Sequence, residues 1–563
     1  MLEELKKIIK GEISSGEKEL SSYSRDASIF EVKPQLAVKP KDVEDIKNLV
    51  KFVSENKSSN PNLSLTARAG GSDMSGGPLN ESIILDFTAH FNKMLGVGND
   101  PAKSGDRGAG YAIVEPGVFY RDFEKETLKK DLLLPPYPAS REICTVGGMV
   151  ANNAGGEKSL RYGKTEDYVE ELNVVLSDGN EYVFKPLTVD ELEQKKKQND
   201  FEGSLYRKTH ELLETNYDVI QRARPNVSKN SAGYALWNVW PARHSFSEGG
   251  DLPIFDPTKL FVGSQGTLGL ITKIRFRLVK PAKHSQLLVI FLKDLDKIGD
   301  LAIDLNKYGP ESMESYDDNT IKLAFKTLPD LIKKMGIGAL FRFIPDLWAI
   351  IAGGGIPKLV ILAEFTGENK ENVQRKVKGL KQEISSKFKV KTRIATNPAD
   401  VQKYWTIRRE SFNLLRKYVK GKKPAPFIDD IIVRPRYLPE FLPKLNKILD
   451  EYKDFMIYTI AGHPGDGNFH IIPLMDLSDE KSREIIPEVA DKVYDLVIKY
   501  SGSITAEHND GLIRTPYLEK MYGKEAYKLF EEVKKIFDPQ NIFNPKKKVG
   551  GSLQYALDHV VKF

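Results

Sequence analysis

A chain of 563 residues with 29% charged residues and a net charge of +6, both signs interspersed, has an ordinary globular surface and roughly three or four domains' worth of core. The single cysteine, Cys144, excludes intrachain disulfides and an iron–sulfur cluster ligated by this chain alone, because such clusters need several thiolates. No run of about 18 uncharged apolar residues occurs, so no transmembrane helix is expected, and the basic runs at 195–197, 420–423 and 546–548 accompany no nucleic-acid motif.

Residues 1–30 read as an N-terminal helical arm, with Leu2, Leu5, Ile8 and Ile9 at helical spacing. The lysine-rich start lacks the apolar stretch of a signal peptide, so a cytoplasmic location is expected. A strand entered at Leu36 and an amphipathic helix capped by Asp42 lead to the apolar runs Leu63–Ala67 and Ile83–Phe87, both expected to be strands. Between them lies Arg68-Ala69-Gly70-Gly71-Ser72-Asp73-Met74-Ser75-Gly76-Gly77. Its glycines permit positive φ and close backbone approach, so successive N–H groups can hold a phosphate or pyrophosphate. The spacing is not G-x-G-x-x-G and no helix follows, which disfavours NAD on a Rossmann domain; a flexible surface loop is the alternative.

A second small-residue loop, Thr145 to Gly156, follows Pro135, Pro136 and Pro138-Ala139-Ser140, and a third, Gly263 to Gly269, comes about a hundred residues later. Three such loops suggest one large ligand. On these segments the chain resembles flavoenzymes of the vanillyl-alcohol oxidase and p-cresol methylhydroxylase type, and within them the FAD-linked D-2-hydroxyacid dehydrogenases (D-lactate dehydrogenase, glycolate oxidase flavin subunit, D-2-hydroxyglutarate dehydrogenase), from about Lys33 to Val549. The resemblance implies an α+β fold: a two-lobed FAD-binding domain, a ferredoxin-like cap and C-terminal helices. It implies FAD contacts from Arg68, Gly70, Gly71, Ser72, Asp73, Ser75, Gly76 and Gly77 in the first loop. The second loop would contribute Pro138, Ser140, Thr145, Gly147, Gly148, Asn152, Asn153, Ala154, Gly155 and Gly156, and the third Gly266, Thr267, Gly269 and Ile271. Neither of the first two loops contains histidine, so FAD held without a covalent bond is expected, with Cys144 a packing residue.

Asp178-Gly179 marks a hairpin turn, after which residues 187–258 interrupt the flavin-domain pattern; within them Lys229-Asn230-Ser231-Ala232-Gly233-Tyr234 resembles the K-N-x-x-G-Y segment of the family. The expected divisions are the arm to residue 30, an FAD-binding domain over 31–282, a substrate or cap domain over 283–510 and a helical segment over 511–563. Residues 335–356, with Phe341, Phe343, Ile344, Leu347, Trp348, Ile350 and Ile351, form an apolar stretch. It reads as a buried insertion, with peripheral contact to the inner face of a membrane, or to a redox partner, as the alternative.

Met456–Ala461 and Phe469–Leu474 are apolar runs joined by Gly462-His463-Pro464-Gly465-Asp466-Gly467-Asn468, a hairpin that would set His463 and His470 on adjoining strand ends. Two imidazoles and a carboxylate leave the open coordination positions of a catalytic metal. H-x-G-D-G-N-x-H at 463–470 and Glu507-His508 match the family, which implies a divalent metal (Zn, Mn or Fe) on His463, His470 and Glu507, His508 as general base and Asn468 at the substrate. Trp405-Thr406-Ile407-Arg408 resembles the family's W-x-x-R, making Arg408 a candidate clamp on the substrate carboxylate, with a structural ion pair as the other reading. Ile428 departs from the lysine often found there in the family.

The expected activity is oxidation of a D-2-hydroxy acid (D-lactate, glycolate or D-2-hydroxyglutarate class) to the 2-oxo acid by hydride transfer to flavin. The segment after Glu507 resembles versions fused to an iron–sulfur module, which implies a separate electron acceptor here: a quinone, a cytochrome, an iron–sulfur protein or an electron-transfer flavoprotein. Two other readings are a flavin-dependent transferase resembling alkylglycerone-phosphate synthase and an electron-transfer subunit with a silent metal site.

Overall fold

The computed structural model describes residues 1–100, 108–240, 254–326, 355–418 and 421–562, with the side chains of 323–326 and 410–418 left aside. The apolar stretch at 335–356 falls outside the described residues up to position 354. Among the described residues no helix is long and apolar enough to cross a membrane.

The first lobe is a four-stranded sheet of β1 (Glu12–Ser14), β2 (Leu36–Lys39), β3 (Leu65–Arg68) and β4 (Ile83–Asp86), ordered β1-β2-β4-β3. β2, β4 and β3 run parallel, so they need a crossover, supplied by the helix Val43–Asn56 that Asp42 caps by accepting from the Asp45 N–H. The N-terminal arm is not wholly helical. Glu12–Ser14 pairs antiparallel with β2, because a parallel sheet leaves an unpaired edge that a nearby extended segment can satisfy.

The second lobe is antiparallel: β5 (Met94–Asn99), β6 (Gly110–Val114), β7 (Val169–Val175), β8 (Glu181–Phe184) and β9 (Leu270–Leu278), ordered β5-β6-β9-β7-β8. β9 alternates strictly, with Leu270, Thr272, Ile274, Phe276 and Leu278 inward and polar residues between, which fixes its register. The second small-residue stretch is not a loop. Val146–Asn152 is a helix, capped by Thr145 Oγ1 accepting from the Gly148 N–H and closed by left-handed Asn153.

The cap opens as a βαββαβ unit: β10 (His284–Leu292), a helix Ile298–Lys307, β11 (Ser312–Asp317), β12 (Leu359–Gly367), a helix Lys370–Phe388 and β13 (Lys391–Ile394), in ferredoxin-like order β13-β10-β12-β11. The sheet continues through β14 (Lys423–Pro424), β15 (Ile431–Ile432), β16 (Met456–His463) and β17 (Asn468–Met475), with β16 added beside β11. Alternation sorts the faces here too. Met313, Ile460, Phe469 and Ile471 enter the main cap core, so Glu314, His463 and His470 emerge on the opposite face.

The chain finally returns to the first lobe. Ile542 and Phe543 join the core of the first sheet, and Thr66 Oγ1 meets Asn544 Oδ1 at 2.9 Å across 478 residues of sequence.

Candidate active site

The first glycine segment leaves β3 and is folded on Asp73. Asp73 Oδ2 accepts from the Ser75 N–H (3.0 Å), Ser75 Oγ (2.8 Å) and the Gly77 N–H (2.8 Å). Its other oxygen accepts from Asn152 Nδ2 at 2.6 Å, and Gln265 Nε2 donates to Asn152 Oδ1 at 3.2 Å. The three segments singled out in the sequence are thus tied together by two side-chain amides and a carboxylate. They line a cleft whose wall also includes Glu507 and His508.

Two glycines test whether this cleft is shaped for a guest. A methyl placed on Gly148 or Gly266 would meet no protein atom nearer than 3.5 or 3.8 Å, so their missing side chains keep space open in the cleft rather than admitting a neighbouring segment. Glycine-lined space with few bulky side chains suits a dinucleotide. Of the cofactor residues expected from sequence, Ser75, Gly76, Asn153, Gly156 and Thr267 sit behind the lining and the others form it. Asn153 Oδ1 accepts from the Glu166 N–H, and Thr267 Oγ1 pairs with the Tyr234 hydroxyl at 2.7 Å. Cys144 lines the cleft, but burial pushes its thiol up to about 12, far from the thiolate that attacks or ligates.

Beyond this wall the β16–β17 hairpin brings its imidazoles together. His463 Nε2 and His470 Nε2 are 3.2 Å apart, and Glu507 Oε2 lies 3.7 Å from the first and 3.9 Å from the second. With metal bonds of roughly 2.0–2.1 Å, neighbouring ligand atoms of a tetrahedral ion sit roughly 3.4 Å apart, within the observed spread. The opposite ring nitrogens are engaged: His463 Nδ1 meets Glu314 Oε1 at 2.5 Å and His470 Nδ1 meets Asp429 Oδ1 at 3.2 Å. With each Nδ1 facing a carboxylate, the two Nε2 atoms are turned to one another at 3.2 Å, a spacing that either a shared proton or a divalent cation between them satisfies. The donor set therefore fits a divalent ion. A looser grouping of Asp430, His470, Glu507 and His508 has ligand atoms within 4.8 Å of one another.

The surrounding charges favour positive charge at this place. Burial alone would lower the histidines, yet Glu314 lifts His463, and Asp430 with Asp429 lift His508, each to about 9. Burial alone would raise Glu507, but Lys229 and His463 hold it well below the usual carboxylate range. Lys229 is buried with its Nζ 2.6 Å from Glu507 Oε1 and 2.9 Å from Asp466 Oδ2.

Asp430 sets the Glu507–His508 backbone. Its Oδ2 accepts from Thr505 Oγ1, the Glu507 N–H and the His508 N–H, each at 2.7 Å, and it adopts a left-handed φ of 67° to do so. Asn468 is fully buried behind Asp430, donating to Asp430 Oδ1 and Ile431 O at 3.1 Å, rather than standing in the cleft wall. Its Oδ1 has no hydrogen-bond partner. Arg408 donates from Nε to Glu314 Oε2 at 3.0 Å, so it stands one carboxylate away from His463. His508 stacks on His470 with ring centroids 5.0 Å apart.

Sequence reasoning gave no role to Glu314, Asp429 or Lys229. Signals existed for two: Asp429-Asp430 interrupts an otherwise apolar run from Phe427 to Val433, and Lys229 opens a segment already noted for its resemblance, whereas only the structure shows Glu314 to be an acid in a strand buried at every position.

Residues 34–184 match the family model described as FAD binding domain, and residues 281–548 match that of FAD linked oxidases, C-terminal domain. The chain is 27% identical over 543 residues to a D-2-hydroxyglutarate dehydrogenase of Pseudomonas putida, covering 96% of this chain and 50% of that protein. It is also 27% identical to a glycolate oxidase subunit of Bacillus subtilis, covering 93% of this chain and 91% of the relative. The chain spans about half the length of the D-2-hydroxyglutarate dehydrogenases it matches first. Among solved structures, p-cresol methylhydroxylase superposes with a TM-score of 0.63 at 16% identity, over 96% of this chain and 94% of that one, a likeness of fold.

Proposed function

We propose that this chain, which belongs to the FAD-linked oxidases, oxidises a small D-2-hydroxy acid of the D-lactate, glycolate or D-2-hydroxyglutarate class to the 2-oxo acid. The observation that carries the reading is the junction at Glu507-His508. Glu507 turns one oxygen to the paired Nε2 atoms of His463 and His470 while the same dipeptide walls the glycine-lined cleft. A cation-binding corner and a dinucleotide cleft thus share consecutive residues.

In this reading the three glycine-rich segments hold FAD without a covalent bond, and His463, His470 and Glu507 hold a divalent ion. Bound there, FAD would supply the acceptor for the C2 hydrogen as hydride, and the ion would supply the Lewis acidity that makes the substrate hydroxyl more acidic. His508 takes the hydroxyl proton at Nε2, the ring atom turned away from Asp429 (Nδ1 to Asp429 Oδ2 2.8 Å), in its neutral form, which the facing carboxylates confine to above about pH 9 until a bound cation offsets them. Asp430, braced by Asn468, fixes the height of that imidazole by holding its backbone N–H. Arg408 acts on His463 through Glu314 or clamps the substrate carboxylate, and Arg408→Lys separates these roles. Weaker metal affinity follows from the first and a raised KM at unchanged metal affinity from the second. Electrons then pass to a separate acceptor, and the Bacillus relative's name as a subunit supports such a partner.

The test is an anaerobic visible spectrum of metal-reconstituted protein before and after D-lactate, glycolate and D-2-hydroxyglutarate, each alone. One of the three is expected to bleach the oxidised flavin band until an acceptor is added. A flavin spectrum that none of them alters, with metal present, rules the proposal out.

A further inference from the structure

Asp429 occupies a place in this cluster that the reaction as described does not use. It is fully buried, next to Asp430, and its two carboxylate oxygens face two different imidazoles. Oδ1 lies 3.2 Å from His470 Nδ1, and Oδ2 lies 2.8 Å from His508 Nδ1, an ion-pair approach in which neither Oδ2 nor that Nδ1 makes a hydrogen bond. The main-chain oxygen of Asp429 accepts from Arg514 Nη2 at 2.6 Å, which anchors the backbone independently of the carboxylate. The two imidazoles stack with their planes 21° apart, so one carboxylate spans the same edge of both rings.

We infer that Asp429 is a shared positioning residue, a single carboxylate that sets the tautomer and orientation of a metal-ligating imidazole and of the proton-accepting imidazole beside it. The inference rests on the proposed roles of His470 and His508. A carboxylate has no proton to give, so the hydrogen of each neutral ring belongs on the Nδ1 that faces it, and Nε2 is the atom left to ligate a cation or to exchange a proton. His470 then presents its lone pair toward His463 and Glu507, and His508 presents its own for a proton.

The isosteric amide separates this arrangement from simple packing. In Asp429→Asn one position becomes an N–H donor, and whichever imidazole faces it must expose a bare Nδ1 and carry its hydrogen on Nε2, the wrong tautomer. If that ring is His470, metal binding fails; if it is His508, proton acceptance fails. Asp429→Glu keeps both acceptors at a changed reach.

The experiment uses the full-length, FAD-loaded protein, Asp429→Asn and Asp429→Glu. It measures Zn(II) and Mn(II) affinity by competition with a chromophoric chelator and, separately, the rate of anaerobic flavin reduction at saturating metal with the hydroxy acid that bleaches the parent. Asp429→Asn is expected to weaken metal binding by about 10–100-fold or to slow flavin reduction at saturating metal by about 10²–10⁴-fold, with the flavin spectrum and Tm unchanged. Asp429→Glu should recover part of whichever property is lost. Parent-like metal affinity and flavin reduction in Asp429→Asn would overturn the assignment while leaving the proposed reaction intact. A parent that binds neither metal overturns both, and a parent that binds metal but is reduced by no hydroxy acid removes the reaction and leaves the His470 half to be judged by metal affinity alone.

Discussion

The glycine-lined cleft and the histidine corner sit side by side and are built on opposite plans. The cleft is made largely of backbone and small side chains, drawn from three segments whose composition announces them, and few of its contacts need a charge. The corner is made of long charged side chains that are nearly all buried, Glu314, Lys229, Asp429, Asp430 and Glu507, each committed to a partner from a distant stretch of chain. The first plan tolerates substitution until the space itself is filled. In the second, removing one group strands another charge without water, which is where single changes cost most.

The contrast predicts graded effects. His508→Ala should cut flavin reduction by the hydroxy acid by about 10²–10⁴-fold, as loss of a general base does, while the resting flavin spectrum stays as it was; stopped-flow traces equal to the parent's would remove His508 from the chemistry. Glu314→Gln replaces the acceptor for His463 Nδ1 with an amide, and metal affinity is expected to fall by about 10–100-fold with no change in FAD content, measured by chelator titration beside absorbance at the flavin band. Lys229→Met leaves Glu507 and Asp466 buried without their cation, a loss of about 3–5 kcal/mol of stability, to be read from urea unfolding; a midpoint within error of the parent would mean that the two carboxylates find other partners. The smallest effect is expected in the cleft. Gly71 has φ = 66° and a Cβ there would lie 2.6 Å from Arg68 Nη2, so Gly71→Ala should cost about 1–2 kcal/mol and loosen FAD, seen as flavin lost on gel filtration while metal affinity holds.

The same contrast explains what could be read from sequence. Glycine segments, the His463–His470 hairpin and the Glu507-His508 pair are local patterns, and strand alternation alone puts both imidazoles on one face. Asp429 and Lys229 carry only faint local marks of purpose and Glu314 none, because each meets its partner across 41, 278 and 149 residues. The Thr145 segment misled for a physical reason. Gly147 and Gly148 depress helix propensity, but a threonine cap and burial of Val146, Met149 and Val150 outweigh them. Glu12–Ser14 was hidden among helical signals because its pairing partner, not its own composition, makes it a strand.

The return of residues 507–548 to the flavin lobe has a consequence for the order in which the molecule is made. Asn509 donates to Asn152 O and Gly263 O, the Gly511 N–H to Gln265 Oε1, and Asn544 to Gly77 O and Gln265 O, so the cleft is closed by chain synthesised long after its floor. At roughly 5–20 residues per second, the interval between Thr66 and its partner Asn544 leaving the ribosome is on the order of a minute. During that time the glycine segments stand without their last wall. Tight cofactor capture is therefore an event of the finished chain, and a nascent polypeptide halted before residue 507 presents an open shelf rather than a binding site.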